Sequence, residues 1–284
     1  MKLTLILACL WLDYYFDTGL KWRNPAWFGD YIRWIKSTIG EKVGAWKGPL
    51  SIVITLLPVV VILAILWSLV GRHSAVVELV VGFIVLWYCF GPTELQETLT
   101  LYLKKETDTA EAEQALKVAG ADLMDPTLSF HRNVTELVFW QAHERFFGVI
   151  FWFLLLGPVG AVLFRMVSWM HETAPRMVDE FYPHYPKHIH QLYWIIAWIP
   201  SRLAAFSYSL VGNFLPGFDQ WKNDLVKPNR CREVLIDTGL ASLGVSEHAD
   251  KEENLKAQGI VQRGLIVWII VAAVATLSQA FIAY

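Results

Sequence analysis

The stretch PLSIVITLLPVVVILAILWSLVG, residues 49–71, decides the fold because it contains no charged side chain. An α-helix rises about 1.5 Å per residue, so a stretch of this length crosses the roughly 30 Å hydrocarbon core of a bilayer. The stretches 146–164 and 264–284 also lack charge. A soluble core would instead show apolar residues interleaved with charged ones at the period of a strand or a helix. The sequence therefore predicts an all-α integral membrane protein.

Three other apolar blocks are less regular. Residues 74–90 contain one acid, Glu78, and residues 192–211 contain one base, Arg202. Residues 1–16 are similar to a short signal peptide, but large residues such as Trp11 stand where small residues would mark a cleavage site. We interpret this block as a retained first span or half-span. The prediction is about six hydrophobic helices, of which roughly four to six are true spans.

The composition fits a lipid environment. Hydrophobic residues make up 55% of the 284 residues and charged residues 18%, compared with about 25% charged residues in soluble domains. The net charge is −2 and no basic stripe is present, which argues against nucleic acid as a partner. The three cysteines form no CxxC pair, and neither a Walker A motif nor a nucleophile elbow occurs. The predicted partner is the lipid bilayer, and no cofactor is predicted.

The positive charges are distributed unevenly between the two sides of such a six-span arrangement. Residues 17–48, 92–133 and 215–263 together hold seventeen Lys and Arg, whereas the opposite connections hold four. The positive-inside rule makes the first set cytoplasmic, so both termini are predicted to be periplasmic in a bacterial inner membrane. Amphipathic helices are predicted at 93–105 and 109–119. No internal repeat is evident, so the prediction is a single polytopic membrane domain covering residues 1–284.

Ionisable residues gather just before the uncharged block 146–164. At helical spacing, Glu136, Trp140, His143 and Glu144 share one face, and Arg145 lies beside them. One interpretation is a polar pocket that binds a charged ligand or performs acid and base steps, since histidine titrates near neutral pH. The other is a solvated amphipathic helix whose arginine marks the membrane edge. The sequence leaves both open.

Small residues interrupt the same block at Gly157, Pro158 and Gly160, before Arg165 closes it. Small residues allow helices to approach closely, and proline frees a backbone carbonyl. This pattern predicts a kinked, tightly packed span. The alternative is a broken helix that lines a ligand cavity.

A second interruption occurs at Pro200 and Arg202. A guanidinium inside a span needs a carboxylate, phosphate or carbonyl partner. Glu136 or Glu144 would satisfy it, and so would an anionic ligand.

Four histidines, at positions 171, 184, 188 and 190, lie in one short proline-containing segment. A metal site would need them to converge, but Pro183 and Pro186 break the helix that would align His184 with His188. We interpret the segment as a surface loop, and no metal site is predicted.

Three stretches resemble a known superfamily. WQAHERFF (140–147) followed by FWFLLLGPVGAVLFR (151–165) resembles the AmpE family, as does WIPSRLAAFSYSLVGN (198–213). NPAWFGDYIRWI (24–35) resembles a segment of the related CobD and CbiB proteins. AmpE is the better-fitting branch, because Asn24 replaces a histidine of the CobD and CbiB enzymes and Trp140 and Gln141 replace their Glu-Asn pair.

The AmpE resemblance implies an inner-membrane regulatory or sensory modulator of beta-lactamase induction and cell-wall recycling, functionally linked to the AmpD amidase. Its ligand would be an anionic muropeptide, lipid-linked or phosphate-bearing molecule. The CobD and CbiB resemblance implies a membrane enzyme that joins aminopropanol to a corrinoid carboxylate in an ATP-requiring amide synthesis. On this hypothesis, Glu136 and Glu144 are metal-binding or acid and base groups and Arg202 holds a phosphate. A transporter is a third hypothesis. The ligand-binding candidates are Asn24, Trp27, Glu136, Trp140, His143, Glu144, Arg145, Arg165 and Arg202.

Overall fold

The computed structural model of the chain describes residues 2–15, 27–40, 48–73, 75–91, 94–104, 109–121, 123–177, 181–227, 229–244 and 250–282. All regular elements in these ranges are helices. Two compact units interleave along the chain, one formed by Met1–Gly91 and Gly148–Ala197 and the other by Pro92–Phe147 and Trp198–Tyr284. The predicted single domain, with cytoplasmic segments 17–48, 92–133 and 215–263, stays a prediction.

The first unit is built from six helices and the first part of a seventh. These are α1 (Lys2–Tyr15), α2 (Trp27–Ile35, continued by a π-helical turn, Lys36–Gly40), α3 (Leu50–His73), α4 (Ala75–Cys89), α8 (Gly148–Leu156), α9 (Pro158–Thr173) and the beginning of α10 (Tyr185–Val211). α9 packs against α3, α4 and α8, and α1 packs against α4. The fully buried rings of Phe28, Phe153 and Phe164 lie in the core of this unit.

The second unit contains the remaining helices. These are α5 (Glu94–Leu103), α6 (Thr109–Ala119), α7 (Phe130–Ala142, continued by a π-helical turn, His143–Phe147), the end of α10, α11 (Phe214–Asp224), α12 (Cys231–Leu243) and α13 (Lys251–Ile282). α7 packs against α12 and α13, and α11 packs against α12. The helices predicted at 93–105 and 109–119 are confirmed as α5 and α6.

The prediction of an all-α membrane protein is confirmed, but six spans are not supported. Among the residues that the structure describes, three helices are long and apolar enough to cross a bilayer: Leu50–Val70, Tyr185–Val211 and Lys251–Val274. The apolar helix α4 is shorter, and so is α1 with its 14 residues. The orientation of the termini was derived from six spans, and it stays a prediction.

The block 146–164 is a helical hairpin rather than one kinked span. The chain turns at Gly157, whose φ of 66° is accessible to glycine and strained for other residues. A Cβ on Gly160 would lie 2.4 Å from the carbonyl oxygen of Trp152, and one on Gly148 would lie 2.0 Å from Cζ of Phe164. In a straight helix these pairs would be about 12 Å and 24 Å apart. The expectation of a continuous kinked span is therefore wrong, and the broken helix is the better description.

Candidate functional site

Arg202 is buried in the second unit, at a point where it binds the turn that follows α11. Its Nε donates to the carbonyl oxygen of Leu225 at 3.2 Å, and Nη2 donates to that of Lys227 at 2.8 Å. Nη1 donates to Ser201 Oγ at 3.1 Å and contacts Cys231 Sγ at 3.6 Å. The sequence allowed a carboxylate, a phosphate or a carbonyl as the partner of this guanidinium, and the structure shows backbone carbonyl groups. Arg202 therefore binds the segment 225–227 to α10.

His143 and Glu144 begin the π-helical turn that extends α7, and they are 0% and 2% exposed. Single π-helical turns inside α-helices occur frequently at functional sites. Burial, together with the positive charge of Arg202, lowers the pKa of His143 to about 3. The sequence-based expectation that this histidine titrates near neutral pH is therefore wrong, because the apolar surroundings disfavour the imidazolium.

Asp224 is the centre of a charged cluster that sequence reasoning missed. Its Oδ1 accepts from Lys227 Nζ and from Arg230 Nη1, both at 2.9 Å, and its Oδ2 accepts from Gln220 at 2.7 Å. Arg230 Nη2 also donates to Asp237 Oδ2 at 3.1 Å. Lys227 is 50% exposed and Arg230 and Asp237 are each 36% exposed, so the cluster reaches the surface. We call Asp224, Lys227, Arg230 and Asp237 the Asp224 cluster.

The two carboxyl groups of this cluster have opposite pKa shifts. Burial alone would raise the pKa of Asp224, but hydrogen bonds from Lys227 and Gln220 and the charge of Arg230 lower it on balance. Burial raises the pKa of Asp237, and the negative charge of Asp224 raises it further. Two carboxyl groups whose surroundings separate their pKa values are a recurring feature of acid and base sites.

Glu136 and Trp140 lie on α7 near Arg232, the first-turn arginine of α12. Arg232 Cζ lies 5.9 Å from the centroid of the Trp140 ring, and its Nη2 donates to the carbonyl oxygen of Leu123 at 2.8 Å. Glu136 accepts from Arg132 at 3.1 Å. Burial lowers the pKa of Arg232, although the charge of Glu136 opposes the shift. The carboxylate of Glu136 and the ring of Trp140 therefore both lie close to Arg232, and the two interpretations of this face stay predictions.

The other predicted residues are distributed over both units. Trp27 and Arg165 belong to the first unit, where Trp27 donates to the hydroxyl of Tyr88 and Arg165 donates to the carbonyl oxygen of Gly91. Arg145 lies 4.8 Å from the ring centroid of Phe146, its chain neighbour. Asn24 lies outside the described residues. Pro200 is buried within α10, and Gly157, Pro158 and Gly160 form the hairpin turn.

Two histidines of the proline-containing segment contact each other, which their spacing in the sequence did not predict. His171 Nε2 lies 3.1 Å from His190 Nδ1, and the ring of His171 stacks on that of Tyr193 at 4.2 Å. Within the described ranges, no group of three or more His, Cys, Asp or Glu could hold a metal ion. This pair connects α9 to the start of α10.

The described helices, three of which are long and apolar enough to cross a bilayer, define an all-α membrane protein. Comparison with known proteins identifies the family: residues 5–231 match the family described as CobD/Cbib protein, so the chain belongs to the CobD/CbiB family. One similar protein is the "Cobalamin biosynthesis protein CobD" of Chromobacterium violaceum, 29% identical over 118 residues. The aligned region is 40% of this chain and 37% of that relative. No solved structure matches the chain significantly.

Proposed function

We propose that this chain takes part in cobalamin biosynthesis as a membrane enzyme that forms an amide on a corrinoid carboxylate. The observation that carries the proposal is the family match over residues 5–231, supported by the name of the Chromobacterium relative. The AmpE-type regulatory role, which the sequence resemblance favoured, lacks comparable support.

The Asp224 cluster supplies groups suited to this reaction. Amide formation replaces a carboxylate oxygen by the amine nitrogen, after phosphoryl transfer from ATP makes that oxygen a leaving group. The amine loses one proton as the C–N bond forms. Lys227 and Arg230 offer exposed cations that suit a carboxylate or phosphate. Asp237, whose pKa is raised by burial, is a suitable acceptor for the proton.

A genetic experiment tests the proposal. The chain is expressed in a bacterium that lacks its CobD protein and grows only with supplied cobinamide. We expect the wild type to restore growth and Asp237→Asn to reduce it strongly, whereas Asp219→Asn, at an exposed position of α11, serves as the matched control. Failure of the wild type to restore growth, with immunoblots showing normal amounts in the membrane fraction, would contradict the proposal.

A regulatory function of the AmpE type is the second candidate, and one observation favours it. Trp140 lies beneath Arg232, and Gln141 accepts from the amide of Gln96 at 2.7 Å, in the positions where the corrinoid branch tends to carry Glu-Asn. Neither residue can ionise at neutral pH. Measuring beta-lactamase induction in a strain that lacks this chain tests this function, and unchanged induction excludes it.

A further inference from the structure

α11 exposes a group of large apolar side chains. Leu215 is 73% exposed and Phe214 is 44% exposed. Phe214 stacks on Phe218 with 5.3 Å between ring centroids, and Phe218 stacks on Trp221 at 5.7 Å. We call Phe214, Leu215, Phe218 and Trp221 the α11 apolar face. An ordered aromatic surface of this kind marks an interaction site.

Around the axis of α11, the apolar face is one of three sectors. Gly217 and Asp224 face the protein, and a Cβ on Gly217 would lie 2.3 Å from Ser242 Oγ in α12. Asp219 and Asn223 are exposed on a polar sector. At about 3.6 residues per turn, the apolar face occupies roughly a third of the helix circumference, between the side that faces the protein and the polar sector. A helix bounded by protein, water and a third, apolar surface is typical of the membrane interface.

The apolar face continues a stripe of the membrane-spanning helix α10. Ile199, Leu203 and Leu210 are 49%, 44% and 45% exposed and recur on one side of α10. Phe206 lies in the same stripe, and its ring centroid is 5.0 Å from that of Trp221. Since α10 is a candidate span, this stripe faces lipid, and the rings of α11 pack beside the last turns of α10 and widen the same surface.

We propose that α11 lies in the lipid–water interface of the bilayer, with its apolar face among the upper acyl chains. Trp221 has the character of an interfacial anchor, because its ring joins the apolar face while its Nε1 donates to the carbonyl oxygen of Arg202 at 2.9 Å. Lys222 is exposed next to the apolar face, so its aliphatic stem can cover apolar surface while its ammonium reaches headgroup phosphates.

Accessibility of a spin label to two relaxing agents tests this placement in the full chain. Single cysteines are introduced as Leu215→Cys on the apolar face, Asp219→Cys on the polar sector and Leu203→Cys on the span. The native cysteines Cys9, Cys89 and Cys231 are buried, and the unsubstituted protein controls for their labelling. Each labelled protein is placed in phosphatidylcholine nanodiscs, after size-exclusion chromatography shows a monodisperse species. Oxygen, which concentrates in lipid, and a water-soluble nickel chelate are the two agents.

The label at position 215 is expected to give a ratio of oxygen to nickel accessibility several-fold above that at position 219, and close to that at position 203. An equal ratio at 215 and 219 would place α11 in water and overturn the proposal. Exclusion of both agents at 215 would mean that protein covers the face, which also overturns it. The measurement does not depend on catalysis, so its outcome is separate from that of the proposed function.

Discussion

Gly160 packs directly against the backbone of Trp152, so that a Cβ at position 160 would lie 2.4 Å from the Trp152 carbonyl oxygen. The contact joins the two arms of the α8–α9 hairpin. The turn of the hairpin, at Leu156, Gly157 and Pro158, lines a cavity of about 280 Å³ together with Lys2, Trp67 and Glu78. Backbone atoms cannot move aside as a side chain can, which makes this position intolerant of any larger residue.

Gly160→Ala is expected to destabilise the hairpin by about 1–3 kcal/mol, the usual cost of overpacking a closely packed core. Thermal unfolding in detergent measures the loss. Gly259→Ala in α13 is the matched control, because nothing lies within 4 Å of its Cβ position and alanine favours a helix. Equal melting temperatures for both variants would contradict the hairpin packing.

Arg202→Lys is expected to lower stability by about 1–3 kcal/mol, because the single ammonium of lysine does not reproduce the planar fork whose Nε and Nη2 bind the carbonyl oxygens of Leu225 and Lys227. Denaturation of the purified protein in detergent gives the difference. Arg33→Lys is the control, since Arg33 pairs with Asp30 on an exposed helix surface, where such pairs contribute about 0–1 kcal/mol. If both substitutions cost the same, the turn is not held by Arg202.

Asp224→Asn is expected to remove a pH-dependent part of the stability. The folded pKa of Asp224 is below its ordinary value of 3.8, so the folded state binds this proton less tightly than the unfolded chain. The stabilisation is therefore present above about pH 4 and disappears as the pH falls through the folded pKa. Melting temperatures between acid and neutral pH should fall less steeply in the variant. A variant as acid-sensitive as the wild type would disagree with this assignment.

Asp237→Asn should act in the opposite direction on stability. Its folded pKa is raised by burial and by the charge of Asp224, so ionisation costs stability above the unfolded pKa. The asparagine variant should have a higher melting temperature at neutral pH, but it should support less growth of the strain that lacks CobD. A gain in stability with a loss of function is typical of a residue retained for activity. A fall in both the melting temperature and the growth would indicate a merely structural role for Asp237.

How far the sequence predicts this structure depends on the kind of signal. Charge-free length identifies α3 and the apolar part of α13 as spans, because lipid imposes that length directly. The same criterion misreads residues 146–164, where one glycine with positive φ reverses the chain. Helical spacing places Glu136, Trp140 and Glu144 on one ordered face. It gives no warning that burial lowers the pKa of His143 to about 3, so that its ring is already neutral in mild acid.

The Asp224 cluster escaped sequence reasoning for a related reason. Asp224 and Asp237 belong to two different helices, and both contact Arg230, which lies in the connection between those helices. Arg202 itself was recognisable as an expensive charge within a span. The carbonyl groups that it binds belong to Leu225 and Lys227, more than twenty residues later in the sequence, and neither a motif nor a periodicity marks them.

Direct detection of the amide product tests the central claim of corrinoid amide synthesis. Purified protein in nanodiscs is incubated with ATP, aminopropanol and a corrinoid carboxylic acid, and the corrinoids are analysed by mass spectrometry. We expect a product whose mass equals that of the acid plus the amine minus water, formed by the wild type and the Asp219→Asn control and lost with Asp237→Asn. Absence of this product with folded wild-type protein, while the Chromobacterium CobD assayed in parallel forms it, would contradict the account.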